Sequence, residues 1–165
     1  MEFAIILPVM LLMTLGLIDL GRAFVYGVAV QDGTRQAARL AASASDYTVP
    51  ADLASLDKTI LGRLIASSSP ALSGCTPAAA PPQDCNSLHL EEQVKYGNAT
   101  YASLYEARMA MTTHDWSAAI HSAGGIQVTV KAAGPVALLP GVSTGAFGLT
   151  LPNINVQGQS TMVVL

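Results

Sequence analysis

Between Phe3 and Ile18 the chain reads FAIILPVMLLMTLGLI, sixteen residues without a charge. A membrane-spanning helix needs about 20 predominantly apolar residues, and this run comes close by itself. Beyond Asp19 and Arg22 the sequence AFVYGVAV is apolar again as far as Val30, so residues 3–30 hold only two charges. Asp19 and Arg22 lie three apart on one helical face, where each would partly neutralise the other. The span is read as Ala4 to Val25, with this pair near its far boundary. A secretory signal would start basic and close on a small-residue cleavage site. Here the start is acidic, with Glu2, and no Lys or Arg precedes Arg22. A retained anchor is therefore the reading, ahead of a cleaved signal or a buried core helix.

Composition agrees. Hydrophobic residues make up 51% of the 165 and charged residues 12%, against roughly 25% charged in an ordinary soluble domain. That disfavours a cytosolic protein and excludes a chain held open by charge. Eight Lys plus Arg against eleven Asp plus Glu leave a net charge of -3. No basic patch for a phosphate backbone can be built from that inventory, so nucleic acid is not an expected partner.

Past the anchor, VYGVAVQDGTRQAARLAASA (25–44) has no proline and many alanines, the best helix formers. Gly27 and Gly33 would each cost about 1 kcal/mol in an exposed helix. Ala23 and Gly27, and then Ala29, Gly33, Ala37 and Ala41, have the four-residue spacing of a small-residue seam; a plain alanine-rich helix accounts for it equally well. One helix from near Glu2 to Ala44 would be about 65 Å long at 1.5 Å per residue. It would anchor with its first half and serve as the spine of a domain with its second. Residues 1–46 are taken as anchor and spine, and 47–165 as the domain.

Leu53, Leu56, Ile60, Leu61, Leu64 and Ile65 recur at helical spacing and predict a second, amphipathic helix. Residues 67–85 are rich in Ser, Pro and Gly and predict a loop, long enough to need tethering or a function. Cys75 and Cys85 are the only cysteines and lie ten apart within it. An intramolecular disulfide would close the segment and would persist only outside the reducing cytosol. Free thiols are the alternative, whereas two cysteines at this spacing make a poor metal site.

Residues 87–122 lean helical. Leu88, Glu91, Glu92 and Lys95 form one helical piece, and Tyr101, Leu104, Tyr105, Arg108 and Met109 the face of another. Thr113 to Trp116 read as a break and a new start, stopped by Gly124 and Gly125. Tyr96, Tyr101, Tyr105 and Trp116 are assigned to contacts between helix and sheet, ahead of a binding surface. From Ile126 the period becomes two: Ile126, Val128, Val130 and Ala132 alternate with Gln127, Thr129 and Lys131. Gly134-Pro135 should end that strand. Phe147–Leu151 is a candidate second strand, and Asn153–Leu165 a third, interrupted near Gly158. The expectation is an α+β chain: a long N-terminal transmembrane helix continuing into an extracytoplasmic domain with helices on a small antiparallel sheet.

Enzyme signatures are thin. There is no G-x-S-x-G elbow, no phosphate-binding G-x-x-x-x-G-K-[ST] loop and no H-E-x-x-H zinc helix. His89, His114 and His121 have no evident further ligand. No catalytic, cofactor-binding or metal residue is assigned.

Taken together, Glu2-Phe3, Pro8, Gly21-Arg22 and Ala37-Ala38-Arg39 resemble the opening of the TadE-like pseudopilins of the tight-adherence (Flp) pilus system. In that family an acidic-aromatic pair opens an apolar helix with a proline inside, a Gly-Arg pair sits near its end, and alanine-arginine repeats follow. The resemblance covers about residues 2–42. The β-rich end from Ile126 is similar in character to the family's extracytoplasmic domain, whereas residues 48–122 carry no signature.

The resemblance implies a pilin-like, non-enzymatic subunit without cofactor that primes or supports pilus assembly at the bacterial inner membrane. Its partners would be other pilin-like or pseudopilin subunits, the assembly platform and membrane lipid, contacted through Glu2, Phe3, Pro8, Asp19, Gly21 and Arg22. An unpaired carboxylate is costly in lipid or in a helical bundle, so Glu2 would meet a neighbour's amino terminus or a basic group. Pro8 lacks an N–H and would bend or loosen the helix. The family pattern includes a short basic leader ending in Gly, cut by a prepilin peptidase. With Glu2 directly after Met1, the translation start is expected upstream. Arg22, Arg35 and Arg39 follow the span, which by the positive-inside rule would keep the domain cytoplasmic. The cysteine pair and the resemblance point instead to a single-pass protein with a periplasmic C-terminal domain. The different-class alternative is an envelope-anchored binding protein or minor tip adhesin that contacts a surface or ligand through residues 48–122.

Overall fold

The computed structural model describes residues 3–47, 49–69, 71–72, 74–78, 81–85, 88–122, 124–136 and 154–164. A 39-residue helix, α1 (Phe3–Ala41), takes up the apolar opening and most of the alanine-rich stretch. A 3-10 turn, Ala42–Asp46, closes it. Helix α2 (Pro50–Ser67) starts on a proline, whose missing N–H is harmless in a first turn. It buries Leu53, Leu56, Ile60, Leu61, Leu64 and Ile65, the row that the periodicity singles out.

The remainder alternates short elements: β1 (Gln83–Cys85), β2 (Leu88–Tyr96), β3 (Ala99–Tyr101), α3 (Leu104–Ala110), α4 (Thr113–Ile120), β4 (Ile126–Val136) and β5 (Ile154–Val164). Ser103 caps α3, its Oγ accepting from the Glu106 N–H at 3.1 Å, while Glu106 reaches back to the Ala102 N–H. Thr112 caps α4 through the Asp115 N–H. All pairings among the described strands are antiparallel, in the order β1-β2-β4-β5, and β3 joins β1 on the outer edge of β2. The sheet turns Leu88, Leu90 and Val94, Ile126, Val128, Val130 and Ala132, and Val156 and Val164 into one core. There they meet the α2 row, Val30 and the alanines of α1, and Trp116 of α4. Its other face is wet: Thr129 and Thr161 share a hydroxyl hydrogen bond at 2.8 Å, and Lys131 reaches Gln93 at 3.2 Å. The chain is thus one long apolar helix joined to a mixed α+β domain with an antiparallel sheet.

Five expectations need correction, the first being Tyr101, which belongs not to a helical face but to strand β3, paired with Val94. Residues 88–96 are a strand, not a helical piece: Leu88, Leu90, Glu92 and Val94 point inward and His89 and Lys95 outward. The charge at Glu92 occupies an inner-face position and conceals the period of two. Residues 83–85, read as loop, form β1 against Leu88–Leu90. Strand β4 does not stop at Gly134-Pro135 but pairs with β5 as far as Val136↔Ile154. Its described register with β2 ends at Ala133, and among the described residues Pro135 pairs only with Asn155 of β5, where a missing N–H is tolerated. Strand β5 runs through Gly158 without a break. The reason is packing, because at Gly158 the strand lies against the backbone of α1 at Val30 and Gln31. The candidate strand Phe147–Leu151 lies outside the described residues.

Candidate assembly helix

Helix α1 has two halves with different surroundings. In the first, Phe3 is 84% exposed, Leu17 70% and Phe24 73%, with Ile6, Leu7, Met10, Leu12 and Met13 also open. An apolar surface this long is not stable in water, and the helix is long and apolar enough to cross a membrane. Pro8 sits exposed within it, where it offers no N–H to the carbonyl four residues back. The Thr14 hydroxyl is satisfied locally by donating to the Leu11 carbonyl at 3.0 Å. From Val30 onward the same helix enters the core, with Val30, Ala37, Ala38 and Ala41 fully buried.

The small residues divide in the same way. A Cβ on Gly33 would run into Ser68 Oγ and stand 3.1 Å from the Leu64 carbonyl, so α2 crosses α1 there at close range. The seam Gly33, Ala37, Ala41 is closed by this crossing. On Gly16, Gly21 and Gly27 a Cβ would meet none of the described atoms within 4 Å. Gly21 and Gly27 instead line an open, mainly apolar groove of about 890 Å³ between Leu17–Gln31 of α1 and Ile154–Gln157 of β5. Asp19 is 7% exposed and Arg22 is exposed, and no ion pair joins them. Glu2 lies outside the described residues.

Cys75 and Cys85 form a disulfide with their Cα atoms 6.1 Å apart. Both pack against the core, and Cys85 belongs to β1, so the bond ties the α2–β2 connection to the sheet edge. Gln83 braces the same loop, donating to the Thr76 carbonyl at 2.6 Å and accepting from the Ala78 N–H at 2.8 Å.

Away from the helix, two acids are buried together. Asp57 of α2 and Glu92 of β2 are each 1% exposed. Asp57 Oδ2 accepts from the Tyr105 N–H at 3.1 Å, whereas among the described residues Asp57 Oδ1 and both oxygens of Glu92 have no hydrogen-bond partner. Burial pushes Asp57 up to about 6, opposed in part by the N–H groups of Tyr105 and Leu104 and by Ser103. Burial, reinforced by the nearby Asp57 carboxylate, pushes Glu92 well above the usual carboxylate range. Nothing in the sequence singled out this pair; the available signal was an acid at an inward position of an alternating strand. Of the aromatic residues, Trp116 is buried, Tyr96 and Tyr101 pack partly against the core, and Tyr105 lies at the surface. His89 pairs with Asp84 at 2.5 Å and His121 with the Ser117 carbonyl at 2.8 Å, both in exposed positions. Among the described residues no group of three His, Cys, Asp or Glu is placed to hold a metal ion.

Compared with known proteins, residues 1–39 match the family model described as TadE-like protein. No curated protein and no solved structure matches the chain. The matched residues are the membrane-length apolar half of α1 and the spine as far as Arg39, and the α+β domain beyond them stands outside the match.

Proposed function

We propose that the chain is a non-enzymatic TadE-like pseudopilin that supports assembly of a tight-adherence pilus from the bacterial inner membrane, with its pilin-like domain on the periplasmic side. The observation that carries this reading is the coincidence of the 39 matched residues with a helix that is open along its apolar half and locked into the domain by the other. A subunit of this kind leaves lipid for a bundle of like helices. The apolar half of α1 offers Gly16, Gly21 and Gly27 for close approach of a partner helix, the arrangement by which helices associate without a hydrophobic driving force. The locked half makes such a contact felt by the domain, because Gly33 and Gly158 leave α1 no slack against α2 and β5. Glu2 pairs with a positive group of the neighbouring subunit, and the disulfide persists because the domain is outside the cytosol.

The test is photo-crosslinking from Leu17 and Phe24 in the full chain in native membranes, together with deletion and complementation. Crosslinks to pilin-like subunits and loss of pili on deletion are expected. Crosslinks confined to lipid, with normal piliation in the deletion strain, would refute the proposal. Normal piliation with lost surface attachment would favour the adhesin.

A further inference from the structure

We propose that Asp57 and Glu92 act as a proton-holding latch that seats α3 on the domain and releases it when both carboxyl groups ionise. The inference goes beyond the assembly reading and does not depend on it. Three elements meet here: Asp57 comes from α2, Glu92 from β2, and the Tyr105 N–H that Asp57 holds belongs to the first turn of α3. Both acids are 1% exposed, and among the described residues no hydrogen bond reaches Asp57 Oδ1 or either oxygen of Glu92, so burial outweighs the donors Tyr105, Leu104 and Ser103 that face Asp57. Two carboxylates sharing so dry a site do not both ionise while it stays closed.

The surrounding charges leave that conclusion in place. On α3, Glu106 adds negative potential at Asp57, and Arg108 gives Nη1 to the Met111 carbonyl. On α2, Lys58 and Arg63 are exposed. On β2, Lys95 is exposed on the outer face, and there Glu91 lies 3.9 Å from Lys131 of β4. The residue paired with Glu92 across the sheet is the buried Val130. On α1, Asp32, Arg35 and Arg39 are exposed. No ion pair among the described residues reaches either carboxylate.

Closing the latch therefore takes up a proton from solvent for each of the two groups that was ionised in the open state. The latch is shut in acid, where both groups are neutral, and loosens as pH rises through the upward-displaced range of the pair. What it releases is a short helix bearing the exposed Tyr105 and Met109, so the surface offered by α3 becomes a function of proton activity.

Backbone amide exchange of the full chain in phospholipid nanodiscs, corrected for intrinsic rates, tests this between pH 5 and 8.5. In wild type, protection of residues 104–110 should fall at least tenfold relative to that of residues 126–132. Glu92→Gln and Asp57→Asn should flatten the profile, whereas a merely structural role would lower protection by the same factor at every pH. Should either variant fail to fold, proton uptake on refolding of the wild type gives the same answer. A flat wild-type profile, an unaltered slope in both variants, or absence of proton uptake near neutrality would overturn the latch. Restoration of protection at pH 8 by millimolar calcium would also overturn it, in favour of a cation site.

Discussion

Gly158→Ala measures how tightly the spine is held. A Cβ at this position would stand 2.9 Å from the Val30 carbonyl oxygen and 3.1 Å from Val30 C and Gln31 Cα. All three are backbone atoms of a long helix, so no rotamer change makes room, and α1 and β5 must separate. Overpacking of this kind costs about 1–3 kcal/mol. Against it stands the gain of about 0.5–1 kcal/mol from removing a glycine from a strand interior. The net expectation is about 1–2 kcal/mol of destabilisation, which in a chain of this size lowers Tm by about 2–8 °C. Trp116 is buried and is the chain's single tryptophan, so its fluorescence reports core unfolding in detergent micelles. Gly27→Ala serves as the control. It meets no described atom, and it should leave stability unchanged or raise it by up to about 1 kcal/mol through helix propensity. Equal or greater stability of Gly158→Ala would refute the close contact and, with it, the idea that motion of α1 is transmitted rigidly to the sheet.

Cys75→Ser opens the ten-residue separation of the disulfide and should cost about 2–3 kcal/mol while leaving membrane insertion intact, as read by denaturation and by membrane fractionation. Asp57, raised from the ordinary 3.8 to about 6, stabilises the fold in its neutral form; that contribution is complete below pH 3.8 and is lost as pH rises through about 6. The loss amounts to about 3 kcal/mol by neutral pH, so Asp57→Asn should lessen the fall in stability between pH 4 and 7 seen in denaturation of the wild type, the remainder belonging to Glu92. Glu2→Ala should insert normally yet crosslink poorly to pilin-like subunits, because an orphaned partner in a low-dielectric seam costs several kcal/mol and an exposed pair only about 0–1. Normal crosslinking and piliation at equal protein levels would remove the pairing role.

What could be read from the chain alone was whatever depends on local period. The uncharged run from Phe3, the helical row Leu53–Ile65 and the alternation from Ile126 each appear in the structure as the element their spacing predicts. The misreadings have a common cause in contacts distant along the chain. Glu92 looks like a helix-surface acid because its neighbours Glu91 and Lys95 are charged, and only the pairing of β2 with β4 shows that it faces inward. Gly158 looks like a strand breaker, and only the approach of Val30 explains why no side chain stands there. The motif residues of the matched stretch were legible as a pattern for a different reason. Phe3, Pro8, Gly21 and Arg22 are exposed on α1, so packing among the described residues does not account for them, whereas Asp19 is buried.

That contrast bears on how one helix can serve two environments. A spine free to slide would lose an assembly signal along its length, and a helix covered throughout could neither enter lipid nor meet a neighbour. Here the sustained change falls near Val30, with Asp19 and Ala23 the buried residues before it among those described. Before it, a Cβ on Gly16, Gly21 or Gly27 would meet none of the described atoms within 4 Å; after it, Gly33 is met by α2, and Gly158 brings β5 onto the helix backbone. Glycine thus does opposite work on the two sides of one boundary. Bulk at Gly27 should leave Tm unchanged or raised and disturb association, whereas bulk at Gly158 should lower Tm first and association only as a consequence. Measuring Tm and helix crosslinking on the same two variants separates the halves. If both variants changed both quantities in parallel, the division of α1 into an open half and a locked half would have no functional meaning.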